Sequence, residues 1–156
     1  MNRKWRLYLD TSVFGGCFDT VEGWAEDSRR VIDSFLQGQA VLLSSELLEQ
    51  EILSAPASVR DVFLSIPNAA VEKVYMSAEM DDLAHAYLRA GVIGKRWLED
   101  CQHVAVATVA RADAIVSWNF KHIVRLNRIK GYNQVNVLSG YGQITVVSPK
   151  EVNFDE

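Results

Sequence analysis

The sequence predicts an α/β fold, a three-layer α/β/α sandwich with a central parallel sheet of about five strands. Short apolar runs recur along the chain, at RLYL, AVLLS, AVEKVY, AIVSW and ITVVS. Stretches with helical spacing separate them. Continuous apolar strands alternating with helices mark a parallel sheet covered on both faces. The 156 residues, 49% hydrophobic and 23% charged, suit an ordinary globular protein, and one domain spanning 1–156 is expected.

Each element has its own signal. Residues 6–9 form the first strand, and Thr11 or Ser12 is suited to cap a helix after it. The Gly- and aromatic-rich stretch 13–24 reads as a helix start and loop. In 25–37, Val31, Ile32, Phe35 and Leu36 share one helical face, and Gly38 supplies the stop. AVLLS at 40–44 is the second strand, followed by the helix SELLEQEIL. Pro56 precedes another short helix within 57–66. The third strand covers 70–75, and Ser77 caps a helix reaching Arg89. AGVIGKR is a loop, and an alanine-rich helix runs from Trp97 to Arg111. AIVSW at 114–118 is the fourth strand, a helix occupies much of 120–140, and ITVVS at 144–148 is the fifth strand, closed by Pro149.

Composition narrows the function. No apolar run reaches the eighteen or so residues a membrane helix needs. The segment MNRKWRLYLD lacks the apolar core and cleavage site of a secretion signal. Cys17 and Cys101 have no metal-type spacing and are too few to staple the chain, so a reducing cytoplasm is expected. A net charge of −4 argues against coating nucleic acid through bulk charge. It leaves room for an enzyme with a local basic run, and KHIVRLNRIK at 121–130 is one, with a solvated helix face as the plain alternative.

In parallel sheets, ligands bind beyond the carboxyl ends of the strands. Asp10 and Asn119 stand at such ends, and Glu51 and Asp100 lie on helices that pass the same edge. Glu46 and Glu49 compete with Glu51 for the role, and Glu99 competes with Asp100 as first-turn compensation of the helix dipole. Clustered carboxylates repel one another, and their burial is costly unless a cation neutralises them. Hard oxygen donors suit Mg²⁺ or Mn²⁺, which activate water and offset charge on a phosphodiester under attack.

The pieces LYLDTSVF, SSELLEQEI, EDCQHVAVAT, ADAIVSWNFKHI and ITVVSPKEV, spread in this order over residues 7–152, resemble the PIN-domain ribonuclease family, close to the VapC type of bacterial toxin. The resemblance implies a metal-dependent endoribonuclease in which Asp10, Glu51 and Asp100 hold Mg²⁺ or Mn²⁺. It also implies an RNA substrate, a homodimer, and a small antitoxin partner that inserts a cation near the acids. Where many relatives have a fourth acid, this chain has Asn119, whose amide oxygen can assist a metal but adds no charge. Lys121, His122, Arg125 and Arg128 are candidates for the RNA backbone.

His103, one turn from Asp100, reads first as a packed, hydrogen-bonded histidine and second as a neighbour of the site. Asp113, entering strand four, reads as a structural turn residue. Trp118 and Phe120 flank Asn119, and at least one of them should pack in the core. A receiver domain fails on its missing phosphorylatable Asp after the third strand, since VEKVYMS has none. A haloacid-dehalogenase-type phosphatase fails because Ser12 occupies the place of its second Asp. Two alternatives stand: a PIN-like module that binds RNA or protein without cutting, and a housekeeping RNA-processing nuclease.

Overall fold

A computed structural model describes residues 3–154. Met1, Asn2, Asp155 and Glu156, the ends of the expected domain span, lie outside the described residues. The five strands are β1 (Trp5–Leu9), β2 (Ala40–Ser45), β3 (Val71–Val74), β4 (Ala114–Val116) and β5 (Val146–Val147). They form one sheet in the order β3-β2-β1-β4-β5, with every pairing parallel. The helices are α1 (Thr11–Gly16), α2 (Trp24–Leu36), α3 (Glu46–Leu53), α4 (Ala57–Leu64), α5 (Ala78–Arg89), α6 (Leu98–Val109) and α7 (Leu126–Leu138).

The sheet divides the interior into two cores. Leu7 and Leu9 of β1 point one way with Leu42, Ala114 and Val116, into a core shared with α1 to α4. Tyr8 points the other way with Leu43 and Ile115, into a core shared with α5 to α7. Alternation along each strand therefore fills both faces with apolar side chains. This is the three-layer α/β/α arrangement expected of the sequence.

Strand order reverses at the β1–β4 boundary, because the chain runs outward through β2 and β3 before returning to β4. The register Leu9↔Val116 puts the residues after these strands, Asp10 and Ser117, side by side. A crevice at such a reversal is where ligands bind in this class of sheet.

Several local expectations need correction. Neither Thr11 nor Ser12 caps α1; Asp10 holds the N-cap position and makes no side-chain cap hydrogen bond. Leu36 turns to solvent at 48% exposure, because α2 buries Val31, Ile32 and Phe35 and ends as Leu36 leaves that face. The helix expected over much of 120–140 is α7, which starts at Leu126 because the segment after β4 is spent on turns around the site. Ser77 does cap α5, accepting from Met80 N at 3.4 Å. Asp113 is structural, but it acts across strands: its carboxylate accepts Arg6 N at 2.8 Å and pairs with Arg3.

Candidate metal centre

Asp10, Glu51, Asp100 and Asn119 come from four separate places in the chain. Hydrogen bonds link Asp10 through Ser117 and Asn119 to Asp100, while Glu51 has its own set with Thr11 and His103. Asp10 is 7% exposed. Its Oδ1 accepts from Ser12 Oγ at 2.5 Å and its Oδ2 from Ser117 Oγ at 2.8 Å. The same two hydroxyls accept from Trp118 N and Asn119 N, each at 2.9 Å, which stitches the turn after β4 to the start of α1. Burial pushes the Asp10 carboxyl above its ordinary value, Glu51 adds to the rise, and His103 and the two serines only partly offset it. An ionised carboxylate in that position calls for a cation.

Glu51 lies in the second turn of α3. Its carboxylate accepts from Thr11 Oγ1 at 2.5 Å, and both of its oxygens lie 3.0 Å from His103 Nε2. The competing acids turn away from the site. Glu49 pairs with Lys73 at 3.0 Å and accepts from Ser44 Oγ, while Glu46 accepts from Met76 N. Burial raises Glu51, but His103, Thr11 and Glu99 together outweigh it and hold the carboxyl below its ordinary value.

His103 is only 3% exposed and uses both ring nitrogens, with Nδ1 2.6 Å from Tyr8 Oη. Tyr8 Oη is in turn 2.9 Å from Ser45 Oγ, which also accepts from Leu48 N as the cap of α3. Burial disfavours the imidazolium, yet Glu51, Asp10 and Asp100 outweigh burial and raise the pKa of His103. The packed histidine and the site neighbour are therefore one residue. The spacing Asp100-x-x-His103, one helical turn, was the signal for it.

Asp100 lies in the first turn of α6. Its Oδ2 is 3.0 Å from His122 Nδ1, and its Oδ1 accepts from Asn119 Nδ2 at 3.3 Å. The amide oxygen of Asn119 is committed elsewhere, accepting His122 N at 3.0 Å. As arranged, Asn119 therefore serves Asp100 as a donor and does not present its oxygen to a metal. His122 belongs to the acid cluster rather than to an exposed basic face, with its ring centroid 4.0 Å from that of Trp97. Glu99 does more than compensate a dipole: it stands near enough to Glu51 that burial and the charge of Glu51 raise its pKa. Glu99, Glu51 and Thr11 line an open cleft of about 520 Å³ with Leu47, Gln50 and Ser54.

The basic run divides. Lys121 and Arg125 are exposed. Arg128 is tied to Val92 O at 2.5 Å, so its guanidinium is not free for a phosphate contact. Trp118 is the core member of the flanking pair, stacked on Trp24 at 4.3 Å with its Nε1 donating to Ser28 Oγ, whereas Phe120 is 42% exposed.

The three carboxylates, all hard oxygen donors, suit Mg²⁺ or Mn²⁺ in chemistry. Among the described residues, though, no three His, Cys, Asp or Glu side chains are already arranged as a metal-ligand group. The reason is visible in the network: each carboxylate is turned to its own donors, so ligation requires some of these hydrogen bonds to be exchanged for a cation.

No family model matches the sequence, and no curated protein matches it. Solved structures do match. One is Mycobacterium tuberculosis VapC20, described as a sarcin-ricin loop cleaving toxin. It aligns with a TM-score of 0.55 at 10% identity, over 88% of this chain and 98% of that one. The likeness establishes a VapC-type PIN fold, as the resemblance implied. No described helix is long and apolar enough to cross a membrane.

Proposed function

We propose that this protein is a metal-dependent endoribonuclease that hydrolyses RNA phosphodiesters, the toxin of a toxin–antitoxin pair. What supports the reading is that Asp10 at the end of β1, Glu51 of α3 and Asp100 of α6 all act on the one buried imidazole of His103, and that Asp10, beside the strand-order reversal, is itself buried. When bound, Mg²⁺ or Mn²⁺ supplies Lewis-acid neutralisation at the phosphodiester and makes water acidic enough to attack near neutral pH. Asp10, Glu51 and Asp100 would hold it.

The chain's own residues prepare the site. Ser12 and Ser117 fix the rotamer of Asp10, Thr11 and His103 fix Glu51, and His122 and Asn119 fix Asp100. Such supports orient acidic ligands and set their basicity. Lys121 and Arg125 hold the RNA backbone, which positions a substrate without reading its sequence. A homodimer, a small antitoxin that brings a cation to the acids, and a cytoplasmic setting complete the proposal.

Two observations favour a PIN-like module that binds without cutting: each acid is satisfied internally, and an amide, Asn119, stands where a fourth acid is expected. Induced expression in a bacterial host separates the two readings. Growth arrest with RNA loss, relieved by Asp10→Asn at equal protein level, supports the nuclease. Arrest that persists in Asp10→Asn, or no arrest by either chain, contradicts the toxin reading.

A further inference from the structure

Lys95, Arg96 and Trp97 form a single 3₁₀ turn just ahead of α6, and the acid network does not use them. All three are exposed, Trp97 at 37%. The Trp97 ring lies against His122, whose Nδ1 reaches Asp100 at 3.0 Å. The Arg96 guanidinium carbon stands 5.0 Å from the centre of the same indole. Flat groups thus lead from solvent to Asp100: guanidinium, indole, imidazole. Across Asn119, Phe120 offers a second exposed ring.

The charge around these rings is equally informative. In a chain of net charge −4, no carboxylate among the described residues pairs with Lys95, Arg96, Lys121 or Arg125. The unpaired cations and the exposed rings lie on the two segments that flank Asp100, 95–97 and 120–125. Packing against His122 accounts for one contact of the indole but not for its open surface beside free cations. A nucleotide uses both features, since a base stacks on aromatic or guanidinium planes while its phosphate takes the positive charge.

We propose that Arg96 and Trp97 form a subsite for one unpaired RNA base beside the Asp100 end of the site, with Lys95 taking an adjacent phosphate. The inference rests on the ribonuclease reading and narrows it, because a base inside a duplex is held in its own stack. The substrate is then single-stranded next to the cut. An acidic peptide would engage the cations alone and gain nothing from the flat ladder.

The test uses the full chain carrying Asp10→Asn, so that the probe survives, and adds Trp97→Phe or Trp97→Leu. Binding of a labelled, random-sequence single-stranded RNA is read by anisotropy, with a blunt duplex and polyglutamate as controls. Loss of one stacked base predicts about tenfold weaker single-strand binding for Leu. Phe should stay within about threefold, since it keeps a π face. Duplex affinity should not move. In the otherwise wild-type chain, Trp97→Leu should raise KM with kcat kept, while Mn²⁺ affinity is unchanged. Equal single-strand binding by the Leu chain, an equal loss on the duplex, or tighter binding of polyglutamate that depends on Trp97 overturns the subsite. If the wild type still cleaves RNA in those cases, only the subsite falls. If the wild type neither cleaves nor binds RNA, the ribonuclease reading falls with it.

Discussion

His103→Leu removes two hydrogen bonds and one counter-charge from the centre of the site while keeping a buried, apolar side chain of similar size. Nε2 of His103 lies 3.0 Å from both oxygens of Glu51 and Nδ1 lies 2.6 Å from Tyr8 Oη, and below its raised pKa the charged ring donates from both nitrogens. A bond to a charged group contributes about 1.5–3 kcal/mol and a neutral one about 1 kcal/mol. Both partners keep another contact, Glu51 with Thr11 and Tyr8 with Ser45. Glu51 also retains 23% side-chain exposure, so the cost of roughly 3–5 kcal/mol for orphaning a fully buried ion is not reached. A net loss of about 2 kcal/mol follows, which lowers Tm by roughly 4–8 °C in a chain of this length.

The sign of its pH dependence is fixed by the two shifts. His103 is raised from 6.5, so its contribution is complete below that pH and is lost as pH rises through the higher folded value. Glu51 is lowered from 4.5, so its contribution is complete above that pH and is lost as pH falls through the lower folded value. The difference between wild type and variant should be widest between pH 4.5 and 6.5 and should narrow in alkali. Metal-free thermal melts across pH measure it. A variant as stable as wild type, or a difference independent of pH, would refute the ion pair.

Two further substitutions probe neighbouring parts of the site. Asp10→Asn should stabilise the metal-free protein at pH 7. Burial raises Asp10 above 3.8, so its ionised form weighs against the fold once pH exceeds the folded value. A Tm gain of about 3 °C per kcal/mol relieved is expected in EDTA, together with loss of the stabilisation that Mn²⁺ gives the wild type. A lower Tm, or an undiminished response to Mn²⁺, would count against a buried charge awaiting a cation. Gly16→Ala should cost about 1–3 kcal/mol by overpacking, since an added Cβ would lie 2.6 Å from Trp118 Nε1 and collide with Ser28 Oγ. Melting together with tryptophan emission checks this, and an unchanged Tm and spectrum would show that the Trp24–Trp118 stack yields more easily than its geometry implies.

The layers and the place of the site were legible in the sequence because both follow from patterning. Apolar runs that alternate with helices require a covered parallel sheet, and a strand that ends on a carboxylate marks its ligand-binding edge. The choice among Glu46, Glu49 and Glu51 was less legible, since it depends on which way α3 faces; Lys73 and Ser44 take Glu49 out of contention. Strand five was overestimated at its ends. As an edge strand it pairs only through Ile115↔Val146 and Val116↔Val147, however apolar its flanks. The orientation of the Asn119 amide was not legible at all. It is decided by the backbone N–H of His122 and the carboxylate of Asp100, groups that meet only in three dimensions. Likewise, the turn chemistry of Thr11 and Ser12 suggested capping, but carboxylates take both hydroxyls, that of Thr11 going to Glu51 across the fold and that of Ser12 to its near neighbour Asp10.

The most direct test of the central claim is cleavage of a mixed RNA pool by the purified protein in Mn²⁺, in EDTA, and as Asp10→Asn in Mn²⁺. Cleavage by the wild type with metal alone is the predicted result, and it would establish that the first strand ends on Asp10 to hold a cation. No cleavage in any of the three by a protein whose melt shows it folded, or equal cleavage in all three, would contradict that claim.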